Sequence, residues 1–152
     1  MERIEKTIEV NAPITTVYNQ WTQFEEFPHF MEGVTEVRQL DDDGRLFWRA
    51  QIAGKEIQWE AEIYEQIPDS RIAWRSITGT PNAGAVNFQS ISPDRTRVTL
   101  VMEYQPMGAV EKIADVLGLV SSRVQGDLER FKSFIEERGS ATGAWRGAIR
   151  DI

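Results

Sequence analysis

Residues 110–138 read VEKIADVLGLVSSRVQGDLERFKSFIEER. Val110, Ile113, Leu117, Val120, Val124, Leu128, Phe131 and Ile135 recur at intervals of three and four, the spacing of one face of an α-helix. The pattern predicts an amphipathic helix of about seven turns, near the upper end for a globular chain. It is expected to stop at Arg138-Gly139, where glycine suits a helix C-terminus. Gly118 and Gly126 fall inside it at about 1 kcal/mol each relative to alanine. Gly118 reads as a kink or a point of close approach.

The sequence before this helix has a different period. Ile4 to Val10 alternates apolar and polar residues and reads as a strand, closed by Asn11-Ala12-Pro13. Pro13 suits the first turn of a helix, and Val17, Tyr18, Trp21 and Phe24 follow at helical spacing. Residues 24–30 read as a second short helical piece broken near Pro28. Six strands are then predicted, over 34–40, 45–52, 57–67, 71–78, 83–92 and 96–105. Turn signals separate them, at Asp41-Asp42-Asp43-Gly44, Ala53-Gly54-Lys55, Pro68-Asp69-Ser70, residues 79–82 and Ser92-Pro93-Asp94-Arg95. Strands joined by such short turns form an antiparallel meander rather than βαβ units. One apolar sheet face needs a cover, and only the long helix is large enough, so the sheet should curve around it and leave room for a cavity between the two.

Composition narrows the function. The chain of 152 residues is 41% apolar, an ordinary value for one globular domain. Seventeen Lys and Arg against 24 Asp and Glu give a formal charge of −7, a poor match to nucleic acid or to anionic membrane surfaces. With no cysteine, disulfides, thiol nucleophiles and thiolate metal sites are excluded, and the single His29 excludes multi-His metal sites. Neither a metal nor a cofactor is expected. No apolar run reaches the ~20 residues of a membrane span, and residues 1–6 lack a signal-peptide pattern, so a cytoplasmic location is expected. The glycines of residues 79–84 lack the Lys-Ser/Thr of a phosphate-binding loop, and no Gly-x-Ser-x-Gly or His-Glu-x-x-His occurs.

The order strand, two short helices, six strands, long helix resembles the helix-grip superfamily. That superfamily includes START-type lipid-transfer domains, birch-pollen-allergen-like proteins and bacterial polyketide cyclase/dehydrase proteins. The resemblance runs from Met1 to about Arg138 and is nearest to the last group, which overlaps the START-type ubiquinone-binding proteins. It is carried by Val10-Asn11-Ala12-Pro13 with Val17-Tyr18 and Trp21, by Phe27-Pro28-His29-Phe30-Met31 and by Trp74-Arg75-Ser76. Gly84 to Phe88, Thr96-Arg97-Val98 and Leu128-Glu129-Arg130-Phe131-Lys132 complete it. It implies an α+β helix-grip fold, with a seven-stranded antiparallel sheet curved around the C-terminal helix. Residues 1–138 would form the domain and 139–152 a tail, poorly ordered unless docked.

The resemblance also implies a binding or transport role toward a hydrophobic small molecule, such as a lipid, isoprenoid quinone or polyketide. The alternatives are a polyketide aromatase/cyclase or dehydratase acting by positioning, and a partner-binding protein docking through Trp145. The expected cavity residues are Trp48, Trp59, Trp74, Ser76, Phe88, Met102, Tyr104, Leu117, Val120 and Val124. The expected mouth is Phe27, His29, Phe30 and Met107. Each aromatic also reads as ordinary core, Ser76 as bonded to a nearby carbonyl, and His29 as a lone histidine for which neither a positioned substrate nor an orienting partner is legible. No catalytic residue is assigned. Protein partners, if any, are a second copy in a homodimer or a chain held by the tail, and stable membrane insertion is not expected.

Overall fold

The structure is a computed structural model that describes residues 2–40, 44–52, 54–79, 82–104, 113–147 and 149; side chains are described for the same residues apart from 2, 52, 104 and 113–120. Seven strands form one antiparallel sheet: β1 (Glu2–Val10), β2 (Val34–Gln39), β3 (Arg45–Ile52), β4 (Lys55–Ile67), β5 (Arg71–Gly79), β6 (Asn82–Ser92) and β7 (Arg95–Tyr104). Their order is β1-β7-β6-β5-β4-β3-β2, so every neighbour pair except β1–β7 is a hairpin. Helix α1 (Ile14–Trp21) and a 3₁₀ helix (Phe24–His29) connect β1 to β2, and α2 (Ile113–Arg138) follows β7. The sheet curls into a half-barrel around α2, the helix-grip arrangement. Among the described residues, no helix is long and apolar enough to cross a membrane.

Local chemistry sets the ends of these elements. Pro13 has extended backbone and caps α1 from just outside, one step earlier than the sequence reading placed it, and its carbonyl accepts the Val17 N–H at 3.0 Å. Phe24, Phe27 and Phe30 share one face because a 3₁₀ helix repeats every three residues. Phe27 and Phe30 are buried, while Glu26 and His29 occupy another face and pair at 3.0 Å. In β4 the ladder skips a residue between Ile63 and Glu65. This bulge shifts the alternation by one position, as bulges do. Ala61 and Ile63 are buried before it and Gln66 after it.

The core is apolar and rich in rings. Phe131 of α2 lies edge-on to Trp21 (4.7 Å) and to Phe30 (5.2 Å). Lys132 donates to the Glu9 carbonyl at 3.1 Å, and the Asn11 N–H donates to Glu136 at 2.8 Å, which ties α2 to the end of β1.

The tail is docked. Gln20 and Thr142 exchange two hydrogen bonds (3.0 and 2.8 Å), and the Trp145 N–H donates to Thr22 Oγ1 at 3.1 Å. Arg146 reaches Asn19 and Asp69, both at 2.7 Å, and its guanidinium covers the Tyr18 ring. Ile149 pairs with Gln66 through two backbone hydrogen bonds. That edge of β4 is open because β3 begins at Arg45, opposite Glu62.

Candidate functional site

Between the sheet and α2 lies a cavity of about 120 Å³. Its walls come from β3, β4, β5 and β7, from Phe27 and the segment following it, and from α2. Trp48 and Trp59 are cross-strand partners, and their rings stack 5.7 Å apart and nearly parallel. Trp74 completes the aromatic wall, seated on Gly84. A Cβ at Gly84 would stand 2.4 Å from the Trp74 ring, closer than atoms can approach, so glycine is what lets the indole lie flat on β6. Gly84→Ala is therefore expected to lose about 1–3 kcal/mol by overpacking and to turn Trp74 toward the cavity. Urea unfolding reads the loss, and an unchanged midpoint would show that Trp74 does not rest on residue 84.

Of the residues expected from sequence, Trp48, Trp59, Trp74, Met102, Val124 and Phe27 meet at this cavity. Phe88 does not. It lies edge-on to Tyr18 (5.3 Å) and Trp21 (6.2 Å), further along β6 where α1 covers the sheet. Ser76 Oγ accepts the Asn82 N–H at 3.0 Å and so serves the β5–β6 hairpin. Phe30 is buried core, and its carbonyl accepts a hydrogen bond from Arg130 at 3.0 Å. His29 is exposed and stacks on Phe134. The three-residue repeat that brings Phe27 inward carries His29 outward, and His29 is not among the residues that line this cavity. Met107 lies outside the described residues, as do the side chains of Tyr104, Leu117 and Val120.

The indole N–H groups of Trp48 and Trp59 are both buried with no hydrogen-bond partner among the described residues. Each costs roughly 1–3 kcal/mol in a core that offers it nothing. At the end of the cavity nearest residues 31–34, the lining changes character, with Glu32, Arg123 and Asp127 reaching it. Asp127 Oδ1 accepts the Glu32 N–H at 2.9 Å and a hydrogen bond from Arg130. Arg123 donates to the Gln51 carbonyl at 2.7 Å. These bonds fasten the segment before β2, and the end of β3, to α2. Among the described residues, no three His, Asp or Glu side chains are placed to hold a metal.

Sequence reasoning passed over Asp127, although a signal was present. It stands three residues after Val124 and four before Phe131, on the apolar face of the helix. Burial pushes its carboxyl up to about 6, against the lowering pull of hydrogen bonds from Arg130 and the Glu32 N–H and of the nearby Arg130 and Arg123 charges. The folded chain therefore binds the Asp127 proton more tightly than the unfolded one. Its contribution to stability is fullest below about pH 4 and fades as pH rises through about 6. Asp127→Asn, neutral at every pH, is expected to gain on the native chain by roughly 2–3 kcal/mol between pH 4 and pH 7. Paired urea titrations across that range would refute this if the difference stayed flat.

Comparison with known proteins agrees with this architecture. The model of the family described as polyketide cyclase / dehydrase and lipid transport matches residues 10–132. The chain belongs to that family. A 48% identical relative, an uncharacterized 17.2 kDa protein of Streptomyces lincolnensis, aligns over 98% of this chain and 99% of its own length. Among solved structures, an aromatase/cyclase from a Streptomyces species superposes with a TM-score of 0.77 at 18% identity, covering 95% of this chain and 99% of that one. A START superfamily protein from Mycobacterium smegmatis superposes with a TM-score of 0.73 at 16% identity, covering 90% and 98%. At these identities the likeness is one of fold. This member of the polyketide cyclase/dehydrase family thus shares its helix-grip frame with START proteins, and its own side chains must carry any argument about its ligand.

Proposed function

We propose that this chain binds a hydrophobic small molecule, a lipid, isoprenoid quinone or polyketide, in the cavity between its sheet and α2. The observation that carries the reading is the aromatic wall of Trp48, Trp59 and Trp74 around an almost wholly apolar space. Burying a ligand's apolar area there would supply about 25 cal/mol per Å². The volume is on the scale of the ~150 Å³ apolar cavity that admits benzene. This favours a ring of a quinone or polyketide as the group held, and a longer ligand would need the segment near Met31 to give way.

A second reading, a polyketide cyclase or dehydratase, is favoured by one observation. Arg123 and Asp127 bring ionisable groups together at one end of the cavity, and a carboxyl titrating near neutrality suits acid–base work.

The test has two parts. Native mass spectrometry of the freshly purified protein, with organic extraction, is expected to find an apolar compound at one per chain. Cumene, a single-ring hydrocarbon, is expected to bind at one per chain by calorimetry and to move the indole N–H signals of Trp48 and Trp59 in NMR spectra. If cumene leaves those signals in place and releases no heat, the cavity is not a ligand site.

A further inference from the structure

Three charged residues stand among the lining of the apolar cavity, and they are not equivalent. The Glu32 side chain is 68% exposed and pairs with Arg130 at 3.4 Å. Arg123 gives one N–H to the Gln51 carbonyl and is exposed there. Asp127 is only 14% exposed, and both of its hydrogen bonds go to Oδ1. Oδ2 has no hydrogen-bond partner among the described residues. A largely buried carboxyl held rigidly through one oxygen presents the other in a fixed direction.

We propose that Oδ2 of Asp127 is the polar anchor of the cavity, and that it selects neutral ligands whose apolar body ends in a hydrogen-bond acceptor. The inference rests on the cavity being a ligand site. A protonated carboxyl donates one O–H, whereas an ionised one only accepts, so the state of Asp127 decides what it can hold. Burial keeps that proton on up to about pH 6. The charges facing the group are Arg123 and Arg130 from α2, and Glu32 from the segment before β2. Two guanidinium groups among them oppose a cationic ligand, and the apolar walls oppose any charged one. What remains is a neutral acceptor receiving the Asp127 O–H, with the apolar body lying against the tryptophans. The Glu32 N–H and Arg130 stay on Oδ1 throughout, so binding leaves the fastening of the segment before β2 intact.

The experiment compares acetophenone with cumene, which has the same heavy-atom connectivity but no oxygen, by calorimetry on the full chain at pH 5 and pH 8. Acetophenone is expected to bind roughly fivefold to tenfold more tightly than cumene at pH 5, the worth of one hydrogen bond. At pH 8 that advantage is expected to vanish, while cumene binds equally at both. In Asp127→Asn the amide can still accept from the Glu32 N–H and present an N–H at the other position. Its acetophenone preference should therefore persist at both pH values. Asp127→Leu should lose the preference and keep cumene binding. An acetophenone advantage in the native chain that is absent, or that does not change between pH 5 and pH 8, while cumene still binds, overturns the anchor and leaves the cavity standing. Failure of both compounds to bind overturns both readings.

Discussion

Phe131→Ala is expected to lower the unfolding free energy by about 3–5 kcal/mol, the range for deleting a buried aromatic side chain. The size follows from where Phe131 sits. It is fully buried on the inner face of α2, and its ring lies edge-on to both Trp21 and Phe30. Truncation removes the transfer energy of the ring and two aromatic pair contacts of about 0.5–1.5 kcal/mol each. It also leaves a hole where α2, α1 and the 3₁₀ helix meet. That junction holds the Phe27 side of the ligand cavity in place, so cumene affinity should fall together with stability. Urea unfolding followed by tryptophan fluorescence measures the first effect. A loss below 1 kcal/mol would mean that α2 is not clamped at this point.

Ending the chain after Gly139 is expected to destabilise the domain by about 3 kcal/mol or more, because it leaves buried polar groups unpaired at roughly 1–3 kcal/mol each. Gln20 is fully buried, and its two side-chain hydrogen bonds both go to Thr142. Gln66 would lose the strand partner Ile149 on an edge that β3 does not reach. Arg146→Ala is the milder companion, removing bonds to Asn19 and Asp69 while the remaining tail contacts stay. If the shortened chain unfolds within 0.5 kcal/mol of the full one, the docking contributes nothing to the domain. Trp145, still 41% exposed in the docked tail, should shift its fluorescence little in Arg146→Ala.

Much of the fold was legible because strands and helices write their burial into sequence at different periods. The alternation of Val98, Leu100 and Met102, and the three-and-four spacing through Val124, Leu128 and Phe131, each survive in the structure on the faces where they were read. The misplacements occur where a local irregularity breaks the period. A helical reading of residues 24–30 leaves His29 near the mouth, whereas the three-residue turn sends it out beside Glu26. The extra residue in β4 turns Gln66 inward, against an alternation that ended at Ile63. Ser76 lies on the strand face read from sequence but is engaged by the hairpin backbone. Phe88 is on the inner face as read, yet α1 covers that part of the face, and alternation gives a side of the sheet but no position along it.

Sequence by itself determined the element order, the antiparallel meander, the helix that covers it and the aromatic character of the space between them, because each follows from short-range pattern and from residue type. The absence of cysteine and the single histidine likewise excluded whole classes of chemistry. Only the tertiary structure decided that Asp127 is a shielded carboxyl with one oxygen unshared, that Gly84 exists to seat Trp74, and that the tail closes the open edge of β4. These features depend on residues 10 to 95 positions apart being brought within a few ångströms. Desolvation, close approach and hydrogen-bond partnership are properties of that proximity, and no periodicity along the chain encodes them.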